Sequence, residues 1–419
     1  MTKVKAFKAL RPVKGFADKI AALPYDVMNS DEAREMVKGN PLSFLHVDKA
    51  EIDLDPSINI YDDVVYEKAR TNFGQLRSSG KMLKDEEEYY YIYRLTMDGR
   101  AQTGIVACPA VDDYLSDTIK KHELTRADKE ADRIRHVDTL DANTGPIFLT
   151  HRPDSALSGI TAAWAKNHEP IFAFTAGDVK HEGWLIDDRK TITEIASCFE
   201  RIPALYIADG HHRCASAVRV AQKRREANPG YTGEEEFNFF LAVIFPSDEL
   251  RIFDYNRVVK DLNGLSVEEF LEKIESSFDG KVQPGVTVRP SAKHEFGLFM
   301  NDLSFEGGHW CRLRAKKGIW NDNDPVERLD VSILQNYLLG PILGIDDPRT
   351  NKRIDFVGGI RGLHELERRV NTDMAVAFSM YPTTLDDLMD IADAGKIMPP
   401  KSTWFEPKLL SGLFIHDLT

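Results

Sequence analysis

Cysteine is scarce and scattered: Cys108, Cys198, Cys214 and Cys311 form no CxxC pair. Four well-separated cysteines argue against zinc ribbons and against a disulfide framework. Long apolar runs are also missing. The chain is 42% hydrophobic and 29% charged, and no segment has the length of apolar sequence that crosses a bilayer. Basic charge is in deficit, with 54 Lys and Arg against 67 Asp and Glu for a net charge of −13. Nucleic-acid backbone binding needs a basic face, so a general nucleic-acid partner is disfavoured, although a local basic patch stays open. The segment Met1–Phe7 has no signal-peptide core, and a cytoplasmic location is the expectation. Several nucleotide and catalytic signatures are lacking: GxxxxGK[ST], GxGxxG, the protein-kinase set and the GxSxG elbow. His122-Glu123 does not begin an HExxH zinc site, because residue 126 is Arg.

What is present centres on Ala204-Leu205-Tyr206-Ile207-Ala208-Asp209-Gly210-His211-His212-Arg213-Cys214-Ala215. An apolar run that reads as a buried strand stops at Asp209, Gly210 makes the turn, and an Ala-rich helical segment follows. A helix N-terminus presents unpaired N–H groups and partial positive charge, which suits an anion. His211, His212 and Arg213 add side-chain donors for phosphate oxygens. Asp209 could orient a histidine or hold a metal that accompanies the phosphate. The alternative for such a turn is an Asp that caps the helix beside solvated imidazoles.

At 419 residues the chain exceeds one ordinary core. The pattern predicts three regions, 1–110, 111–260 and 261–419, with a boundary at Asp261-Leu262-Asn263-Gly264. Lys3 to Pro12 reads as one strand, Pro24-Tyr25-Asp26-Val27 as an extended piece, and Leu42 to Val47 as another strand. Asn29 or Ser30 caps a short helix, and Val65, Ala69, Phe73 and Leu76 mark one face of a helix from Asp62. Asp98-Gly99 signals a hairpin between Glu88–Tyr93 and Thr103–Ala110. The tyrosines at 89, 90, 91 and 93 read as a covered sheet surface rather than a base-stacking platform. Phe239–Phe245 is a continuous apolar run and predicts a central strand. The fold class is therefore α/β (α+β), with mixed sheets and flanking helices.

Other candidates lie outside the turn. His122-Glu123 precedes a charged helix beginning near Arg126 and could supply a general base, with Thr125 as the helix cap. Arg11, Lys14, Tyr25 and Asp26 gather at strand ends and suit a ligand rim or ordinary loop salt bridges. Arg257 closes a strand. Met398-Pro399-Pro400-Lys401-Ser402-Thr403-Trp404-Phe405-Glu406-Pro407-Lys408 mixes stiff prolines with Lys and Ser donors, either as a second anion loop or as a Pro-stiffened connection.

Four separated motifs carry a family resemblance: Arg11-Pro12 with Pro24–Val27, Lys121–Thr125, Ala208–Arg213, and Met398–Phe405. On them the chain is identified as a member of the bacterial and archaeal domain of unknown function 1015 family. More distantly, the Asp-Gly-His-His-Arg turn is similar to that of the free-serine kinases of the ParB/sulfiredoxin superfamily, with a longer interval between motifs here and large flanking regions that have no counterpart. That resemblance implies a ParB/sulfiredoxin-like nucleotide-binding core plus additional α/β regions. It implies ATP or ADP held by Gly210, His211, His212 and Arg213, and Glu123 acting as base on serine or phosphoserine. Asp209 with Mg²⁺, together with His211 and His212, would complete the catalytic set. His122, Thr125, Arg257, Lys401 and Ser402 would contact the substrate. The function so implied is that of a phosphotransferase on a small hydroxy-amino acid. Its alternatives are a phosphoserine-directed phosphatase and a non-catalytic ParB-like nucleotide- or DNA-associated module.

Overall fold

The apolar runs pair as mixed β-structure in the computed structural model, which describes residues 1–283, 286–301 and 308–419. The chain divides into two compact units, Met1–Leu250 with Pro407–Thr419, and Arg251–Glu406.

The first unit is built on a nine-stranded sheet. Its path runs Ile119–Lys120, Leu205–Asp209, Ile147–His151, Ala242–Pro246, Arg100–Pro109, Tyr90–Met97, Val179–Ile186 and Phe172–Ala176, with Val4–Lys5 pairing to Arg100–Pro109 off that path. Leu205–Asp209 lies parallel to Ile119–Lys120 and antiparallel to Ile147–His151, so the sheet is mixed at the candidate turn. Ala242–Pro246 is central, as its unbroken apolar run predicts, and every one of its residues is buried. The hairpin turns at Asp98-Gly99, both with positive φ (53° and 75°), the geometry that makes Asp-Gly a tight hairpin signal. Tyr90, Tyr91 and Tyr93 are buried, and their hydroxyls donate to Val4 O, donate to Asp85 Oδ2 and bond His181 Nδ1, so they belong to the core. Helices Ser155–Asn167, Arg189–Arg201 and His211–Ala227 pack Leu157, Ile195, Phe199, Cys214 and Val218 onto the sheet.

A second core in this unit gathers the N-terminal helices around Phe44, Val65, Ala69, Phe73 and Leu76. Asn29 caps Ser30–Met36 in a capping box with Glu32, and the helix Asp63–Ser78 buries the face its spacing predicts. The tail returns here: Leu10 bridges Ile415, and His416–Asp417 pairs with Ala142–Asn143.

Three local expectations are corrected. Lys3–Pro12 is two short strands, Val4–Lys5 and Leu10–Pro12, that pair with different partners. Pro24–Val27 is a turn, closed by the Val27 N–H on Pro24 O at 3.3 Å. Leu42–Val47 contains the helix Leu45–Asp48, because Phe44, Leu45 and Val47 must all be buried and a strand would turn alternate residues outward.

The second unit has a six-stranded, wholly antiparallel sheet in the order Phe278–Gln283, His309–Ala315, Glu295–Met300, Val376–Met380, Tyr255–Val259 and Ile354–Gly358. Apolar clusters cover its two faces, one around Phe270, Phe296 and Leu338, the other around Val258, Trp310 and Leu366. Among the described residues no helix is long and apolar enough to cross a membrane.

Candidate functional site

The strand Leu205–Asp209 delivers the chain to Gly210, whose φ of +91° lies in the left-handed region. The 17-residue helix His211–Ala227 starts immediately after it, and no side chain caps that helix. Its first turn is therefore open to an outside acceptor. Arg213 folds back over the glycine. Its Nη1 donates to Pro146 O at 2.6 Å, and a Cβ placed on Gly210 would lie 3.3 Å from its Nε. The positive φ favours glycine, and a Cβ would also press on the guanidinium, which would have to give by a few tenths of an ångström. Replacing Gly210 by Ala is expected to destabilise the first unit by about 1–2 kcal/mol, the cost of a left-handed L-residue. Urea unfolding would measure that loss. The same variant should weaken phosphate binding because Arg213 must shift.

Asp209 is committed to protein donors. Its Oδ1 accepts the Gly210 N–H at 2.8 Å and its Oδ2 accepts Lys408 Nζ at 3.1 Å. Burial pushes this carboxyl up, but Lys408 and Arg213 overcome that and hold it well below the usual carboxylate range. Magnesium takes oxygen ligands in a near-octahedral array. An engaged carboxylate among imidazoles does not form such a cage, so the expectation of Mg²⁺ on Asp209 does not fit the donor set.

His122 and Glu123 arrive from the segment after Ile119–Lys120, the strand that pairs with Leu205–Asp209. The His122 and His211 rings meet edge to face with centroids 4.5 Å apart, and His211 Nδ1 lies 3.9 Å from Glu123 Oε2. One ligand atom each from His122, Glu123 and His211 falls within 4.8 Å of the others, a donor set suited to a borderline transition metal such as Zn²⁺. His122 is 2% exposed, whereas the Glu123 side chain is 49% exposed and reaches solvent. His211 Nε2, His212 Nδ1 and Arg213 Nε are buried without a hydrogen-bond partner. Both nitrogens of His122 are buried without a fully formed hydrogen bond as well, although the Ile207 backbone lies near enough to favour the protonated ring. Buried polar atoms are normally satisfied, so this concentration of orphans marks a place where a ligand completes the bonding.

The imidazoles are neutral at pH 7. Burial, then the neighbouring His211, holds His122 well below its ordinary value; burial takes His211 down to about 4 against the pull of Asp209; and burial lowers His212 against Asp26. Of the three side chains His211, His212 and Arg213, only Arg213 brings a positive charge, and the histidines are neutral donors or acceptors.

The Pro24–Val27 turn reaches the same place. Tyr25 lies under the Arg133 guanidinium, 4.0 Å from carbon to ring centroid, and both line a cavity with Asp48, Thr144, Gly145 and Arg213. Asp132 accepts from Arg133 Nε at 2.8 Å and from the Tyr66 hydroxyl at 2.7 Å, while Thr144 donates to Asp48 at 3.0 Å. Burial pushes the Tyr25 phenol up to about 12, with Arg133 opposing.

Of the other candidates, Arg11 is taken by Asp85 through two bonds of 2.8 Å and Lys14 is exposed. Thr125 does not cap the helix, which begins at Ala127; its hydroxyl donates to Glu130 at 2.7 Å. Arg257, Lys401 and Ser402 belong to the second unit, where the Ser402 hydroxyl donates to Pro399 O. Sequence reasoning missed Arg133, Asp132, Asp48 and Lys408. A signal for the first existed: Arg133 and His136 fall on the i, i+3, i+4, i+7 stripe otherwise filled by Val137 and Leu140.

A strand–glycine–helix turn in a mixed sheet, with unsatisfied histidines beside it, defines an α/β protein with a polar ligand site at a strand end. The chain belongs to the family described as protein of unknown function (DUF1015), whose model matches residues 4–332. The Met398–Phe405 motif lies beyond the matched residues. Three solved structures are similar at low level. A free serine kinase in complex with AMP shares 13% identity at a TM-score of 0.36, over 72% of this chain and 86% of that chain. A mutant free serine kinase in complex with ADP shares 12% at 0.36, over 73% and 88%. A conserved hypothetical protein from Pyrococcus furiosus shares 12% at 0.35, over 74% and 94%. No curated protein matches the chain in sequence.

Proposed function

We propose that this protein is a nucleotide-dependent phosphotransferase acting on a small hydroxy-amino acid, with free serine as the first substrate to test. The observation that carries the reading is the approach of Glu123 to His211, 3.9 Å apart although distant in sequence, at an uncapped helix N-terminus. A half-exposed carboxylate facing neutral, unsatisfied imidazoles is the arrangement needed to take a hydroxyl proton next to a bound phosphate. The choice of serine rests on the resemblance of the turn and of His122-Glu123 to the free-serine kinases.

In this reading the first N–H groups of the helix and Arg213 hold the phosphates of ATP or ADP, and His212 fixes their position. The serine hydroxyl oxygen bonds to the terminal phosphorus as the bridging P–O bond to the nucleotide breaks, and the hydroxyl proton passes to Glu123. Phosphoryl transfer asks for in-line positioning and charge stabilisation rather than covalent catalysis, and both requirements match a rigid turn of this kind. His122 and His211, kept neutral by burial, can orient the acceptor without repelling its ammonium group.

The test is mass spectrometry of serine with ATP or ADP, and of phosphoserine with and without ADP, using the native chain and His212→Ala. A chelator is present in parallel samples, because a transition metal on His122, Glu123 and His211 would sequester the base. Nucleotide-dependent interconversion that His212→Ala slows at least tenfold is the expected result. Phosphate release without nucleotide would replace this reading with a phosphatase. Nucleotide binding without turnover would leave a binding module of the ParB-like kind.

A further inference from the structure

Arg257 lies on Tyr255–Val259, between Val376–Met380 and Ile354–Gly358 in the sheet of the second unit, and is 3% exposed. Its guanidinium donates to the backbone carbonyls of Tyr255 and Lys401, the latter at 3.0 Å, and sits 5.5 Å from the Phe356 ring centroid. Among the described residues no carboxylate forms an ion pair with it, although this unit pairs arginines that are less buried, including Arg353 with Asp261 and Arg369 with Asp355 and Asp373. Neutral carbonyls occupy part of its N–H fork and leave the charge itself uncompensated.

A buried, unpaired cation is costly, and proteins seldom keep one without a partner. Arginine does not escape by losing its proton: burial lowers it only to about 10, so it is cationic at neutral pH. The residue also forms part of the wall of a cavity, in company with Val331, Leu339, Ile354 and Phe356 and with Gln335 at its edge. The other cation in that wall, Arg349, is paired with Asp347 at 2.9 Å, and the exposed Asp346 adds a second carboxylate at the rim that forms no ion pair with Arg257 among the described residues. Gln335 and Leu339 bound a π-helical turn, Gln335–Leu339, an irregularity that recurs at functional sites.

We propose that this cavity binds a small molecule carrying one anionic group, a carboxylate or a phosphate monoester, on an apolar body. The anion occupies the free part of the Arg257 fork and the body lies against Val331, Leu339, Ile354 and Phe356. Planar bidentate recognition is what distinguishes Arg from Lys at such a position. The site lies within the second unit and does not depend on the phosphotransferase reading of the first.

The test uses the full chain with sodium hexanoate and, separately, inorganic phosphate, each against sodium chloride of equal ionic strength. Calorimetry and the thermal midpoint are the readouts. His212→Ala is included so that phosphate bound at the Gly210 turn is not mistaken for phosphate at Arg257. Hexanoate is expected to bind with a millimolar or tighter dissociation constant and to raise the midpoint, in the native chain and in His212→Ala alike. A phosphate response that survives His212→Ala and is lost in Arg257→Met identifies a phosphate ester as the better ligand class; a hexanoate response alone identifies a carboxylate. Arg257→Met should lose the response while its midpoint without anion stays level or rises, because the uncompensated charge is gone. Arg257→Lys, which keeps the charge and loses the fork, should bind at least tenfold more weakly, and decides the matter if the Met variant does not fold. No binding of either probe, or an unchanged response in the Lys variant, overturns the proposal. So does an Arg257→Met chain that responds as the native chain does.

Discussion

A Glu123→Gln chain is expected to bind nucleotide as tightly as the native chain and to transfer phosphate about 10²–10⁴-fold more slowly, the contribution of a positioned general base. The substitution keeps the shape of the side chain and removes its negative charge, and with it the ability to accept a proton. Because that side chain is 49% exposed, the change should alter stability by no more than about 0.5 kcal/mol. A fall in kcat therefore cannot be traced to unfolding. Variants of the turn should behave differently: Arg213→Gln removes a cation that lies over Gly210 and bonds Pro146 O, so nucleotide affinity and kcat should fall together. Single-turnover transfer and calorimetric titration of ADP separate the two cases. Turnover of Glu123→Gln within tenfold of native would remove Glu123 from the role of base while leaving the turn as a phosphate site.

The site was legible where the chemistry is written into adjacent residues. A strand that ends in Asp209, a glycine that must adopt positive φ, and a helix that begins at once form one continuous signal. His122-Glu123 could be suspected as a dipeptide, but its approach to His211 depends on the pairing of Ile119–Lys120 with Leu205–Asp209, a two-residue strand with no periodicity to read. Lys408 was hidden for a related reason. The Met398–Lys408 run reads as one loop, yet the division between units falls at Glu406, leaving Lys401 in one unit and Lys408 on Asp209 in the other. The same non-local pairing, Leu10 with Ile415, returns the tail to the first unit, and no local pattern encodes it. Long amphipathic or fully buried elements such as Asp63–Ser78 and Ala242–Pro246 were readable because their own burial pattern determines them. Leu45–Asp48 is one short turn, too brief for its period to show.

Mild acid should weaken the first unit well before its carboxylates titrate. His136, His151, His181 and His416 all lie inside it and all are held below their ordinary value, in each case first by burial. Arg133 adds to the effect at His136, while Asp48 and, at His416, Glu236 oppose it without reversing it. A depressed imidazole is neutral in the fold and takes up a proton on unfolding near its ordinary value of about 6.5. The unfolded chain thus binds more protons, and stability rises with pH through this window and falls as pH drops below it. His181, taken down to about 4 inside the sheet and bonded to the Tyr93 hydroxyl at 2.8 Å, should alone cost about 2 kcal/mol between pH 7 and pH 5. In the second unit Asp330 works in the opposite sense: burial raises its carboxyl to about 7, so the fold binds the extra proton and acidification over the same window is stabilising through this group, against the smaller opposite pull of His294, which burial holds below its ordinary value. Urea unfolding followed through Trp164 and Trp184 in the first unit, and through Trp310 and Trp320 in the second, distinguishes the two. The expected result is a first-unit midpoint that falls steeply from pH 7 to pH 5, less steeply in His181→Gln, while the second-unit midpoint holds or rises. A first-unit midpoint that stays flat to pH 5 would mean that these imidazoles are protonated in the fold and that their buried pockets admit water or counter-charge.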